Sequence, residues 1–124
     1  MRILILEDSP ERINSFRENM AGNEIVALDN PKQAIKKLIE EKWDILFLDH
    51  DLGGQAMVAS GEGTGYEVAL WLSRNRDFRP QVVIVHSLNP VGANNICGVL
   101  PSASRVPFAW ALSLRKVLHS ALGH

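Results

Sequence analysis

Large apolar residues occur in short runs along the chain, and the stretches between these runs have the spacing of amphipathic helices. The runs predict strands over 3–6, 24–28, 43–49 and 82–85, with a weak fifth strand around 104–106. Helices are predicted to begin near Pro10, Pro31, Thr64 and Pro90, and a last helix is predicted over 108–122. This alternation of strand and helix predicts an α/β fold with a doubly wound parallel sheet and helices on both faces.

Length and composition indicate one ordinary domain, spanning 1–124. The apolar fraction is 46%, the charged fraction is 22%, and the net charge of −1 predicts no non-specific binding to DNA. The one cysteine, Cys97, cannot form an internal disulfide. No secretory leader is visible, and no apolar run approaches the roughly 20 residues that span a bilayer. We therefore expect a cytoplasmic protein with no membrane partner.

Acidic residues follow two of the predicted strands directly. Glu7 and Asp8 end the first run, and Asp49, His50 and Asp51 end the third. In open α/β sheets ligands bind beyond the carboxyl ends of the strands, so these side chains are expected to converge there. Because clustered carboxylates repel one another, the pattern predicts a divalent metal, Mg²⁺ above all, held by Glu7, Asp8, Asp49 and Asp51. Alternatively, Glu7 and Asp8 only cap the next helix and Asp51 starts a turn.

Three segments of the chain resemble the receiver domain of two-component response regulators: RILILED at 2–8, WDILFLD at 43–49 and GYEV at 65–68. The resemblance implies one receiver-like domain over 1–124 with the flavodoxin-like strand order 2-1-3-4-5. It also implies that Glu7 and Asp8 hold Mg²⁺ and that Asp49 is in the phospho-acceptor position. A histidine kinase would then be the partner.

The chain also departs from the receiver pattern. Receivers have a lysine before a proline after the fifth strand, whereas this chain has Val106 there, with Arg105 as a candidate replacement. The Ser or Thr that follows the fourth strand of receivers is replaced by His86, followed by Ser87. A loop over 53–63 is longer than the corresponding loop of most receivers. These departures weigh against ordinary signalling.

The motifs LDHDLGG and HSLNPVGA are similar to those of the receiver-derived family described as the cyclic-phosphate-processing receiver domain. This likeness implies that the substrate is a small phosphate ester or an RNA end carrying a cyclic phosphate. The residues placed in the site by these two motifs are His50, Asp51, His86, Ser87, Asn89 and Asn94.

The residue types suit the opening of a cyclic phosphodiester. His50 and His86 can act as base and acid near neutral pH, while a metal at Asp49 stabilises charge on the phosphate oxygens. Asp51 can orient an imidazole or join the metal ligands. Neutral donors for the phosphate are Ser87, Asn89 and Asn94.

Each of these assignments has a structural alternative. A histidine that follows a strand is often only a hydrogen-bonded structural residue, Asn89 before a proline is a common helix cap, and Asn94 can simply be solvated. The three tryptophans are interpreted as core or edge packing rather than as a platform on which bases stack: Trp43, Trp71 and Trp110. The sequence thus leaves three hypotheses: a metal-assisted phosphoesterase, a stand-alone receiver phosphorylated on Asp49, and a catalytically silent module that binds a partner.

Overall fold

The computed structural model describes residues 1–52 and 58–122, so part of the predicted 53–63 loop lies outside the described residues, as do Gly123 and His124. Five parallel strands form one sheet in the order β2-β1-β3-β4-β5, which confirms the predicted topology. The strands are β1 (Arg2–Leu6), β2 (Glu24–Leu28), β3 (Ile45–Leu48), β4 (Val82–Val85) and β5 (Ser104–Arg105).

Six α-helices and one short 3-10 helix connect the strands or follow them in this part of the chain. They are α1 (Pro10–Asn19), α2 (Pro31–Glu40), α3 (Gly65–Arg74), the 3-10 helix (Arg76–Phe78), α4 (Pro90–Val99), α5 (Phe108–Ala111) and α6 (Leu114–Leu122). Within residues 1–52 and 58–122, none of the helices has the length and apolarity required to cross a membrane.

Polar residues begin the first four helices as the sequence pattern predicts. Side-chain oxygens of Ser9, Asn30, Thr64 and Asn89 accept hydrogen bonds from backbone N–H groups in the first turns of α1, α2, α3 and α4. Proline is the first residue of α1, α2 and α4, where its missing N–H has no intrahelical partner to lose. These caps determine the residue at which each of these helices begins. They therefore also determine which residues lie in the loops at the carboxyl edge of the sheet.

The sheet separates two apolar cores because successive side chains of a strand point to opposite faces. Ile5, Phe47 and Ile84 pack on one face with residues from α1, α5 and α6. Leu6, Leu48 and Val85 pack on the other face with residues from α2, α3 and α4. The register sets Leu6 beside Leu48 and Leu48 beside Val85, so β1, β3 and β4 end in one row.

The single helix predicted over 108–122 is wrong, because the structure has two helices there. The α5 helix ends at Ala111, and α6 begins at Leu114. Ser113 lies at the break, where its hydroxyl oxygen accepts a hydrogen bond from the N–H of Lys116 and its carbonyl accepts one from Val117. A serine inside an apolar helical pattern can thus start a new helix by capping it. Strand β3 is also shorter than the predicted 43–49.

Gly65, the first residue of α3, is pressed against the chain that leaves β3. A Cβ atom at this position would overlap the carbonyl oxygen of Asp49 and lie 2.9 Å from the carbonyl carbon. We therefore expect Gly65→Ala to lower the free energy of unfolding by about 1–3 kcal/mol, since backbone atoms must move to make room. Urea denaturation would measure this change. Gly98→Ala in α4 is the matched control, because no atom lies within 4 Å of its added Cβ and alanine favours a helix. Equal effects of the two substitutions would contradict the prediction.

Candidate functional site

The first residues beyond β1, β3 and β4 form a buried cluster of two carboxylates and one imidazole. Glu7, Asp49 and His86 offer ligand atoms that all lie within 4.8 Å of one another. Their exposed fractions are 0%, 3% and 1%. Among residues 1–52 and 58–122 this is the one group of three or more such side chains that could hold a metal ion.

Glu7 is held as a carboxylate by four donors. Its Oε2 atom accepts hydrogen bonds from the backbone N–H groups of Asp8 and Ser9 at 2.9 and 3.1 Å. Its Oε1 atom lies 3.2 Å from Nε2 of His86 and 3.3 Å from Nε of Arg12. Burial alone would raise the pKa of Glu7, but these donors lower it to about 2.

Asp49 lies beside Glu7 and has the opposite shift. Burial and the neighbouring negative charge of Glu7 raise the pKa of Asp49 to about 7, although Arg12 and a hydrogen bond with Ser87 act against the rise. Near neutral pH Asp49 is therefore protonated in about half of the molecules, whereas Glu7 stays ionised. A divalent cation placed between them would favour the ionised form of Asp49.

His86 is enclosed by aromatic rings on the α1 and α5 side of the sheet. Its ring centroid lies 5.4 Å from that of Phe16 and 6.3 Å from those of Phe47 and Phe108. Burial lowers the pKa of His86, although Glu7 opposes this effect, so we expect a neutral ring that donates its Nε2 proton to Glu7. The other ring nitrogen, Nδ1, is buried and has no hydrogen-bond partner among the described residues.

His50 belongs to a different hydrogen-bond network, on the α4 side of the sheet. Its Nδ1 atom is 2.7 Å from Oδ1 of Asp51, and its Nε2 atom is 2.8 Å from Oγ of Ser60. The Asn89 side-chain amide donates to Asp51 at 3.0 Å and to the carbonyl of Val58 at 3.1 Å. Because an ionised carboxylate only accepts, Nδ1 of His50 carries the proton; in the neutral ring Nε2 then accepts from the Ser60 hydroxyl.

Ser60 and Asn95 are two members of this network that the sequence analysis missed. The amide of Asn95 donates to Oγ of Ser60 at 2.8 Å, and Ser60 is partly exposed while His50 is fully buried. Nothing in the spacing of the chain signals either residue. Gly92 shows that the His50 ring is tightly packed. A Cβ atom added at Gly92 would lie 2.6 Å from the Nδ1 atom of the ring.

The two histidines lie in separate networks because of strand alternation. His86 continues the side-chain direction of Val82 and Ile84, whereas His50 continues that of Leu46 and Leu48, which point to the other face. The structure thus brings Glu7, Asp49 and His86 together. It also brings His50, Asp51 and Asn89 together, in a second group.

The other predicted residues lie around these two groups. Ser87 is buried and hydrogen-bonds to Asp49, and its Oγ atom accepts from the N–H of Asn89 at 3.1 Å. Asp8 lines a depression of about 420 Å³ at the carboxyl ends of β1 and β2. Asn94 is exposed on α4 and accepts a hydrogen bond from Arg105 at 3.3 Å.

A family model described as "Cyclic-phosphate processing Receiver domain" matches residues 2–102 of the chain. No curated protein matches the chain. The sequence resemblance to receivers, and to this family in particular, is therefore confirmed, although the match does not test the activity.

Solved receiver domains share the fold at low sequence identity. A signal receiver domain of a histidine kinase from Syntrophus aciditrophicus has a TM-score of 0.71 and 19% identity, covering 98% of this chain and 89% of the other. The Mn²⁺-bound response regulator Rcp1 has a TM-score of 0.66 and 17% identity, covering 98% and 88%. TrrA from Thermotoga maritima, in complex with Mg²⁺-BeF, has a TM-score of 0.64 and 22% identity, covering 86% and 84%.

The raised pKa of Asp49 predicts an unusual dependence of stability on pH. The folded protein holds the Asp49 proton up to about pH 7, whereas the unfolded chain loses it near 3.8. The contribution of Asp49 to stability is therefore complete below about pH 4 and falls as the pH rises to 7, by as much as roughly 4 kcal/mol. In the isosteric variant Asp49→Asn this loss is absent, so urea denaturation without metal should show the variant more stable than the wild type at pH 8.

Glu7 does not obscure this measurement, because its lowered pKa adds stability above about pH 4.5 that is lost only as the pH falls towards 2. The exposed Asp77, in the 3-10 helix, offers a control variant: Asp77→Asn should follow the wild-type pH profile. Parallel profiles for wild type and Asp49→Asn between pH 4 and 8 would contradict the assignment.

Proposed function

Since this chain belongs to the cyclic-phosphate processing receiver domain family, we propose that it hydrolyses a cyclic phosphodiester, at the end of a nucleotide or an RNA, with a divalent cation. The observation that carries the proposal is the buried group of Glu7, Asp49 and His86 at the carboxyl edge of the sheet. Ligands of open α/β sheets bind at this edge, and buried acids with raised pKa values are concentrated in functional sites.

The donor set fits a divalent cation. Two carboxylates, one of which has a raised pKa, and the imidazole of His86 beside them are groups that such an ion engages. Oxygen ligands favour Mg²⁺, and the added nitrogen makes Mn²⁺ equally suitable. The Mn²⁺ in Rcp1 and the Mg²⁺ in TrrA, which share this fold, support a cation here. We propose Asp8, which follows Glu7, as a further ligand.

When bound, the cation would supply positive charge to the phosphate oxygens in the transition state. Ring opening also needs a base for the attacking water and an acid for the leaving oxygen. We assign one of these roles to each histidine; because the two rings face opposite sides of the sheet, each would act on the substrate from its own side of the carboxyl edge. His86 is in contact with the acids themselves, whereas His50 reaches the surface through the hydroxyl of Ser60. Asp51 holds the proton on Nδ1 of His50 and so keeps Nε2 as the acceptor.

The proposed phosphate donors differ in how they are placed. Ser87 lies next to Asp49, so its hydroxyl is the best placed of the three. The amide of Asn89 already donates to Asp51 and to Val58, so its part is to hold the His50 network. Asn94 forms an exposed pair with Arg105, and that pair can contact a phosphate farther along an RNA end.

The test is hydrolysis of a nucleoside 2′,3′-cyclic phosphate by the purified chain with Mg²⁺ or Mn²⁺. We expect turnover that is lost with EDTA. In His86→Ala and Asp49→Asn the turnover rate should fall by about two orders of magnitude or more, the range that acid–base groups contribute. Ser60→Ala should slow turnover without weakening metal binding, because Ser60 lies in the other network. Asp77→Asn is the control for a removed surface charge. Unchanged turnover in folded His86→Ala would refute the role of His86.

Phosphorylation of Asp49 by a histidine kinase remains the second candidate, because Asp49 follows β3 and hydrogen-bonds to Ser87. It predicts that beryllofluoride with Mg²⁺ changes the tryptophan fluorescence or the NMR spectrum of the wild type and leaves Asp49→Asn unaffected. A phosphoesterase that lacks receiver signalling should hydrolyse the cyclic nucleotide and show no such change. The two measurements together separate the candidates.

A further inference from the structure

The charges of the chain are distributed unevenly along it. All 14 acidic residues lie at or before Asp77, so the last 47 residues contain no acid. The same segment carries four permanently cationic side chains: Arg79, Arg105, Arg115 and Lys116. The near-zero net charge of the protein therefore conceals a cationic C-terminal part, which can attract an anionic partner locally.

An exposed tryptophan lies within this cationic part. Of the two interpretations of Trp110, core or edge packing, the structure rules out the core, since 48% of the residue is exposed. The break between α5 and α6 leaves a concavity of about 680 Å³ beside it, lined by Trp110, Ser113, Arg115, Lys116 and His119. Nζ of Lys116 lies 4.8 Å from the centroid of the indole ring. The Lys116 ammonium thus lies over one face of the indole, and a base that stacks on that face would displace this contact.

We propose that this α5–α6 surface (Trp110, Arg115, Lys116 and His119) binds single-stranded RNA. An exposed indole next to cations offers what an unpaired nucleotide needs, because the base stacks on the ring and the flanking phosphates meet the cationic groups. A duplex has its bases stacked internally and cannot use the indole. An acidic peptide would use the cations but would gain little from the ring. The combination therefore favours single-stranded nucleic acid over either alternative.

The α5 helix presents Trp110 on its exposed side and contacts the carboxylate–imidazole cluster with its inner side. Phe108, two residues before Trp110 in α5, contacts the His86 ring. The guanidinium carbon of Arg12 lies 5.8 Å from the centroid of the Phe108 ring, and Nε of Arg12 is 3.3 Å from Glu7. Because residues two apart on a helix do not share a face, Trp110 points away from the cluster that Phe108 contacts, and the RNA surface is separate from it. That the bound RNA is also the substrate rests on the proposed function. RNA binding itself can be measured without catalysis.

The experiment measures binding by fluorescence anisotropy, using a labelled decamer of uridines with an ordinary 3′-hydroxyl, in EDTA. With no cyclic phosphate and no metal, the result is independent of the proposed hydrolysis. We expect saturable binding that weakens as salt increases, with a slope of log K against log salt of about −1.4 for phosphate contacts with Arg115 and Lys116. Trp110→Ala should weaken binding at least tenfold, and Trp110→Tyr should largely restore it, because a phenol ring also stacks.

Arg115→Gln and Lys116→Gln should each weaken binding and reduce the salt slope. The control is Lys36→Gln, which removes an exposed charge from α2 and should bind as the wild type does. Binding that is unchanged in folded Trp110→Ala, equal binding of duplex DNA, or equal competition by an acidic peptide would each overturn the proposal. Hydrolysis of a mononucleotide cyclic phosphate should be unaffected by Trp110→Ala; loss of that activity would also count against a separate binding surface.

Discussion

The in-register ends of β1, β3 and β4 are the constraint on which the rest of the site depends. Leu6, Leu48 and Val85 lie side by side in the sheet, so the residue after each of them enters the next row. That row contains Glu7, Asp49 and His86. These three side chains are almost completely buried. Two carboxylates in such a position cannot both be ionised without a cation or a strong set of donors. The backbone hydrogen bonds of the sheet thus impose the electrostatic conflict that makes this edge a candidate functional site.

The way the conflict is relieved explains the departures from the receiver pattern. In receivers a lysine after the fifth strand supplies positive charge, but here Val106 occupies that position and is buried in the apolar core. Arg105 does not replace the lysine, since it is exposed and donates to Asn94. The cation comes instead from Arg12 in α1, which pairs with Glu7. Glu7 is therefore satisfied within the protein, while the Asp49 charge is not. Asp49 is therefore the carboxylate that a bound cation would stabilise most.

Much of this architecture could be predicted from the sequence, because the physical causes are local. Four apolar runs and four polar caps determine strands and helix starts, and parallel strands bring Glu7 and Asp49 to one edge. The failures have non-local causes. The break at Ser113 depends on a cap inside an apolar pattern, and the half-exposed position of Trp110 depends on how α5 packs on the sheet. Ser60 reaches His50 from the segment before α3, and Asn95 reaches Ser60 from α4. The spacing of the residues along the chain does not predict either contact. The opposite directions of the two histidines, however, follow from strand alternation and were within reach of the sequence.

That alternation also connects the two networks. Asp49 and His50 are adjacent in the chain, yet the first faces the acidic cluster while the second is held between Asp51, Ser60 and α4. The backbone between them is fixed from both sides, since the N–H of Asp49 donates to the carbonyl of Leu6 and the carbonyl of His50 accepts from the N–H of Gly65. Gly65 and Gly92 leave no room for either residue to shift. A change in the charge of Asp49 therefore acts first on Glu7, Arg12 and Ser87, while the backbone holds the adjacent His50 in the second network. The Glu7–Asp49–His86 group and the His50–Asp51–Asn89 group thus lie on opposite sides of the same sheet edge. The peptide bond between Asp49 and His50 connects them.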